Sequence, residues 1–154
     1  AEPEHLAEIW YQSFHLLPAA VDVVGSSRAA IERYFRHFLS HWAHDPDAFE
    51  EQDIAAWVDN YSAPGNLQGG FNWYIASRPA RLELMRHGAP KLPLIEVPTR
   101  VRWGTSDPIL KIEWADRLGD YFSDYDFAPV EAAGHFVAYE QPDLAVAEIT
   151  DFFG

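Results

Sequence analysis

Trp103-Gly104-Thr105-Ser106-Asp107-Pro108 and Ala133-Gly134-His135-Phe136 are the two stretches on which the fold of this chain turns. Each follows a short run with strand character, residues 99–103 and 125–130, and each is followed by a helical pattern, residues 109–118 and 144–153. The order strand, helix, strand, helix predicts parallel strands covered by helices, because parallel neighbours need a crossover between them. Two parallel strands alone leave open edges, so this part of the chain calls for partner strands from elsewhere.

Side chains just past the carboxyl ends of parallel strands converge on one crevice, and Asp107 and His135 are expected to meet there. Each has a plain structural reading too. Asp before Pro is a common N-cap and first-turn pair, and a Gly-His step before an aromatic residue can be a simple turn. Their separation of one helix plus one strand favours the joint reading. A carboxylate beside an imidazole holds its tautomer and steadies the imidazolium, so that the other ring nitrogen can act as a general base.

Upstream the pattern is helical. Leu6, Ile9, Trp10 and Phe14 predict a helix over residues 4–14, ending before Pro18. After Gly25, Ser26 or Ser27 can cap a second helix, whose apolar stripe is Ile31, Tyr34, Phe35, Phe38, Leu39 and Trp42. Asp47 and Glu50 have capping-box spacing ahead of Ile54, Trp57 and Val58. Asn66 is placed to cap a fourth helix through Leu67, Phe71, Tyr74 and Ile75, which Gly69 and Gly70 weaken or allow to pack closely. Beyond His87, Gly88, Pro90, Pro93 and Pro98 mark an extended linker. The expected division is a helical lobe over residues 1–80 and an α/β part over residues 81–154.

Composition narrows the function classes. Eleven Lys plus Arg against 24 Asp plus Glu give a net charge of -13, which repels phosphate backbones, and no basic patch offsets it. Arg28, Arg33 and Arg36 read as the solvated face of a helix, so no nucleic-acid partner is expected. There is no cysteine, which removes disulfides and thiolate metal sites and is compatible with a reducing cytoplasm, the expected location. No apolar run approaches the roughly 18 residues of a membrane span, so no membrane partner is expected. His37, His41 and His44 lie at metal-like helical spacing, but no acidic motif joins them, and the apolar stripe accounts for the segment. Neither a metal nor a cofactor is called for, and no role is assigned to these three, to His15 or to His87.

Trp103-Gly104 with Asp107-Pro108, then Gly134-His135-Phe136 and Glu140-Gln141-Pro142 before a last helix, resembles the closing section of α/β-hydrolases, in which the order is nucleophile, acid, histidine. Trp10-Tyr11-Gln12-Ser13-Phe14-His15, Val23-Val24-Gly25-Ser26-Ser27-Arg28, Tyr34-Phe35 and Gly69-Gly70-Phe71-Asn72-Trp73-Tyr74 are similar to the cap of bacterial epoxide hydrolases. The resemblance runs through almost the whole chain. It implies a partial α/β-hydrolase fold: a helical cap followed by strand-helix-strand-helix of the parallel core sheet. It further implies an enzyme that opens small hydrophobic epoxides through an Asp-ester intermediate and releases diols. In that family two cap tyrosines hydrogen-bond the epoxide oxygen and a His-Asp pair activates water. By position Tyr11 and Tyr74 match the tyrosines, Asp107 the acid and His135 the base. A phenol near pKa 10 donates to a forming alkoxide while staying neutral beforehand.

The family's nucleophile sits on a sharp strand-helix turn between small residues, and no Asp, Ser or Cys of this chain stands in such a turn. The expectation is that the nucleophile and the first six strands lie on a preceding N-terminal half, the chain's partner, and that this chain alone is inactive. A haloalkane or haloacetate dehalogenase of the same fold is the nearest alternative, with Trp10 and Trp73 as halide-binding candidates. A non-enzymatic module that holds a hydrophobic ligand or a protein on its helical cap is the alternative from another class.

Overall fold

The computed structural model describes residues 3–154. The elements run α1 (Pro3–Glu8), α2 (Trp10–Phe14), α3 (Ala20–Val24), α4 (Arg28–Trp42), α5 (Glu51–Ser62), α6 (Asn66–His87), β1 (Thr99–Gly104), a 3-10 helix (Ile112–Asp120), β2 (Tyr125–Val130), α7 (Val137–Glu140) and α8 (Pro142–Phe153). They fall into two compact units. The first takes the chain up to Phe38 together with Glu50–Lys91, and the second takes Leu39–Phe49 with Leu92–Gly154. No helix among the described residues is long and apolar enough to cross a membrane.

The first unit is helical, and its core follows the apolar periodicity. Ile31 and Phe38 of α4, Ile54 and Val58 of α5, Leu67 and Phe71 of α6, and Ala20 and Val24 of α3 are buried. Ser27 caps α4, its Oγ accepting the Ala30 N–H at 3.1 Å. The polar face of α4 carries ion pairs, Arg28 with Asp59 at 2.8 Å and Arg36 with Glu32 and Glu51, which is the solvated face its arginines predict. α5 and α6 meet at Gly70, where a Cβ would stand in ordinary contact, 3.5 Å from the Tyr61 ring.

Three local expectations are corrected. The single helix over residues 4–14 is two, α1 and α2, with the break at Ile9, whose ψ of 15° lies outside the helical range. The Asp47–Glu50 capping box does not form: the Asp47 N–H donates to Asp45 Oδ1 at 3.0 Å in a local turn, and α5 begins after an extended Glu50 that makes no side-chain cap. Nor does Asn66 cap α6. The preceding Gly65 takes a left-handed φ of 85°, and the Asn66 amide donates instead to the Asn60 carbonyl at 2.8 Å.

In the second unit β1 and β2 pair in parallel, from Thr99 opposite Tyr125 to Gly104 opposite Val130. Side chains alternate across the sheet. Arg100 and Arg102 share one face and bind the acidic side of α8, Arg100 reaching Glu148 at 3.1 Å and Asp151 at 2.8 Å, and Arg102 reaching Glu148 at 2.8 Å. The Arg100 guanidinium also lies 5.1 Å from the centre of the Phe152 ring. Trp103, in the alternate set, donates its indole N–H to the Leu110 carbonyl at 2.7 Å. That bond, with the Asp107 carboxylate on the Ile109 and Leu110 N–H groups, ties residues 109–110 into a turn. The expected α-helix from Ile109 is therefore a 3-10 helix from Ile112. The sheet has two strands among the described residues. Leu92, Val97, Val146, Ile149 and Phe153 are exposed around it.

Gly104 and Gly134 are among the glycines dictated by space. A Cβ on Gly104 would run into the carbonyls of Ala133 and Gly134, and one on Gly134 into the Trp42 carbonyl and the His44 amide, whereas Gly69 faces open space. Gly104→Ala and Gly134→Ala are each expected to destabilise the chain by about 1–3 kcal/mol through overpacking. Gly69→Ala, in the interior of α6, is expected to be neutral or to stabilise by up to about 1 kcal/mol. Urea denaturation of the three variants checks this, and equal midpoints for all three would contradict it.

Candidate active site

Asp107 and His135 stand on the turns that leave β1 and β2. The backbone ladder continues beyond the strands and joins these turns: the Thr105 N–H donates to the Val130 carbonyl at 3.0 Å, and the Ser106 N–H to the Ala133 carbonyl at 3.0 Å. His135 Nδ1 lies 2.9 Å from Asp107 Oδ2, with the Asp107 side chain only 5% exposed and that of His135 27%. Asp107 Oδ1 meanwhile accepts the N–H groups of Ile109 at 2.8 Å and Leu110 at 2.9 Å. Both meanings of the Asp-Pro step hold at once, one oxygen capping the following turn and the other binding the imidazole.

Burial pushes the Asp107 carboxyl up. The hydrogen bonds from His135 and from the Leu110 and Ile109 amides outweigh it and hold the group below the usual carboxylate range. An ionised carboxylate only accepts, so His135 Nδ1 carries the proton and the lone pair of the neutral ring is on Nε2.

The backbone around His135 is held as firmly. The His135 N–H donates to the Trp42 carbonyl at 2.8 Å, and the Gly134 and Phe136 N–H groups donate to Glu140 Oε1 at 2.9 and 3.2 Å. Glu140 Oε2 accepts the His44 N–H at 2.6 Å, and His44 Nδ1 bonds Ser106 Oγ at 2.8 Å. Ala132 adopts a left-handed φ of 54°, and its carbonyl accepts from the Gln141 amide at 2.9 Å. The Trp42 and Phe136 rings flank the imidazole at 5.2 and 5.3 Å. Of these residues sequence reasoning singled out Glu140 and Gln141 only within a family-like string and gave His44 no role. Side-chain bonds to backbone groups leave no periodic trace, and the only signal was an acid five places after the histidine, just ahead of the last helix.

Within the helical unit Tyr11 of α2 and Tyr74 of α6 meet edge to face, with ring centres 5.8 Å apart. Tyr11 is buried, and the Gln12 amide donates to its hydroxyl at 3.3 Å while Arg81 donates to Gln12 Oε1. Tyr74 lines a cleft of about 540 Å³ with Trp10, Gln12, Arg78 and Arg81. His15, given no role above, is buried at the centre of this group: it stacks on Phe71 at 4.2 Å, lies 4.4 Å from Tyr74 and bonds the Tyr34 hydroxyl through Nε2. Burial, then the nearness of Tyr74 and Tyr11, raises the Tyr34 phenol. Burial, then Tyr11, raises that of Tyr74 against the opposing charge of Arg81. Tyr34 and Tyr74 therefore stay neutral and able to donate.

Among the described residues no group of three or more His, Asp or Glu side chains is arranged to hold a metal ion.

No family model matches the chain. It is 29% identical over 125 residues to a soluble epoxide hydrolase of Corynebacterium sp. (strain C12), covering 80% of this chain and 42% of that protein. The epoxide hydrolase CorEH superposes with a TM-score of 0.77 at 23% identity, over 96% of this chain and 50% of that one. A variant of an epoxide hydrolase from Bacillus megaterium, solved with its product, superposes with a TM-score of 0.75 at 14% identity, over 99% of this chain and 53% of that one. The chain thus spans about half the length of these three proteins.

The burial that surrounds the tyrosines has a measurable consequence. It lowers the His15 pKa from 6.5 to about 4. Between those values the unfolded chain binds a proton that the folded chain refuses, so this contribution to stability is complete above pH 6.5 and is lost as the pH falls towards 4. His15→Phe is expected to flatten the fall of the urea midpoint across that window, and an unchanged slope would contradict the assignment.

Proposed function

We propose that this chain, which has the fold of the C-terminal half of an α/β-hydrolase, supplies the cap phenols and the acid-base pair of an epoxide hydrolase. The nucleophilic Asp then belongs to the N-terminal half that the matched proteins possess in addition. The pairing of Tyr11 with Tyr74 carries the choice of substrate, because an Asp-His pair serves many hydrolytic reactions whereas two adjacent phenols suit a leaving alkoxide. Small hydrophobic epoxides are the substrate class, the cytoplasm fits a cysteine-free chain, and the chemistry calls on no cofactor.

The steps follow from the groups. The carboxylate of the N-terminal half attacks an oxirane carbon and the C–O bond breaks. The oxygen, becoming an alkoxide, is met by the Tyr11 and Tyr74 hydroxyls and takes a proton from one of them. His135 Nε2 then removes a proton from water, the hydroxide attacks the ester carbonyl, and Asp107 stabilises the imidazolium. Collapse of the tetrahedral species frees the diol and regenerates the nucleophile, and the imidazolium proton returns to the phenolate by way of solvent.

Co-expression with the N-terminal half is expected to give hydrolysis of styrene oxide that neither half shows alone. Tyr11→Phe and Tyr74→Phe should each lower kcat/KM for the epoxide, by about 10²-fold or more. His135→Gln should slow ester hydrolysis by about 10²–10⁴-fold, so that the alkylated protein accumulates and is seen by mass spectrometry. Epoxide turnover by this chain alone, or full epoxide activity in the double tyrosine variant, overturns the proposal. Halide release from haloalkanes or haloacids in place of epoxide opening would assign the fold's dehalogenase chemistry instead.

A further inference from the structure

Glu140 has no task in the chemistry above, yet it makes more bonds to the second unit's backbone than a surface carboxylate needs. One of its oxygens takes the N–H groups on either side of His135, those of Gly134 and Phe136, at 2.9 and 3.2 Å. The other takes the His44 N–H at 2.6 Å. His44 in turn bonds Ser106, the residue before Asp107, at 2.8 Å. The contacts close a circuit: Glu140 to the histidine turn, His135 to Asp107 at 2.9 Å, the acid's turn to His44, and His44 back to Glu140.

A carboxylate that accepts from three backbone amides makes charge-assisted bonds, roughly twice as strong as neutral ones. With Trp42 taking the His135 N–H, three successive amides of the histidine turn are fixed. The backbone then leaves the imidazole little freedom apart from rotation about its own side-chain bonds, and Trp42 and Phe136 flank the ring. A misplacement of about 1 Å in a catalytic group can cost 10²-fold in rate. We propose that Glu140 is a positioning residue, which holds the His135 turn and the Asp107 turn in one frame so that the imidazole keeps both its bond to the acid and its aim at water. The step that depends on it, ester hydrolysis rather than ester formation, rests on the epoxide-hydrolase proposal; the positioning does not.

Glu140→Gln separates the two. Glutamine keeps the shape but offers one acceptor oxygen, so either the His44 amide or the Gly134 and Phe136 amides face an NH2 group and lose their partner. In the isotope-labelled chain, the His135 Nδ1 proton is expected to exchange with water at least about tenfold faster in the variant, with the thermal midpoint and overall spectrum otherwise close to the parent's. In the co-expressed protein, single-turnover measurements on styrene oxide should show ester formation unchanged and ester hydrolysis slowed about tenfold or more. Glu140→Asp, which keeps the charge but withdraws it by one methylene, should fall between the two and is read in the same way should the glutamine variant not fold. A His135 ring proton as protected in both variants as in the parent overturns the proposal, as does equal slowing of both half-reactions. A parent that forms no ester from the epoxide overturns the functional reading instead, and the exchange measurement still decides the role of Glu140.

Discussion

The parallel register of β1 on β2 is the constraint from which the rest of the second unit hangs. Gly104 opposite Val130 ends both strands at one level, and the turns that follow continue the pairing through the Val130 and Ala133 carbonyls. A slip of one residue would reverse every side chain across the sheet, taking Arg100 and Arg102 away from Glu148 and Asp151. It would also carry the turn that bears Asp107 out of step with the turn that bears His135. The 2.9 Å bond between the two is thus the end product of a ladder that begins at Thr99 and Tyr125. Gly104 and Gly134 permit it, because there the two turns and the Trp42 carbonyl pass with no room for a side chain between them.

The helical unit meets a different electrostatic problem. It buries a histidine against the phenols of Tyr34 and Tyr74, and burial raises both phenols and lowers the imidazole. Tyr34 bonds His15 at Nε2, while Tyr11 is tied through Gln12 to Arg81. The cationic end of that chain opposes the upward shift of the Tyr74 phenol. Packing thus keeps Tyr34 and Tyr74 protonated as phenols and His15 neutral as imidazole, ready to donate hydrogen bonds without carrying charge.

How far this was legible in advance depended on whether a feature announces itself by period or by partner. The strands were readable because short runs with β-branched and aromatic residues lie between breakers, and Tyr125–Val130 is β2 at the bounds expected. The α4 stripe was readable because Ile31 and Phe38 recur on one face. The meeting of Asp107 with His135 was readable from topology, as residues just past strand ends, while Tyr11 and Tyr74 were named from resemblance and their rings meet. What escaped was decided by side chains bonding to distant or local backbone. The Trp103 indole claims the Leu110 carbonyl and turns an expected helix into a 3-10 segment; Asp45 captures the Asp47 amide and leaves no capping box; Glu140 reaches back to the histidine turn. His15 escaped because a histidine on an apolar face carries no mark of what surrounds it.

The Asp107 carboxylate divides its two oxygens between the following turn and the histidine, one on the Ile109 and Leu110 amides and the other on the imidazole. An evolving lineage can move an acid to another strand end only if something else takes over the turn it leaves behind. A second carboxylate acquired elsewhere would bring a new partner for the histidine and yet leave two amides bare at the old position. The present arrangement is therefore historically sticky. An acid that the turn needs is retained by folding whether or not catalysis calls for it, so an intact Asp-His pair testifies to the fold before it testifies to activity.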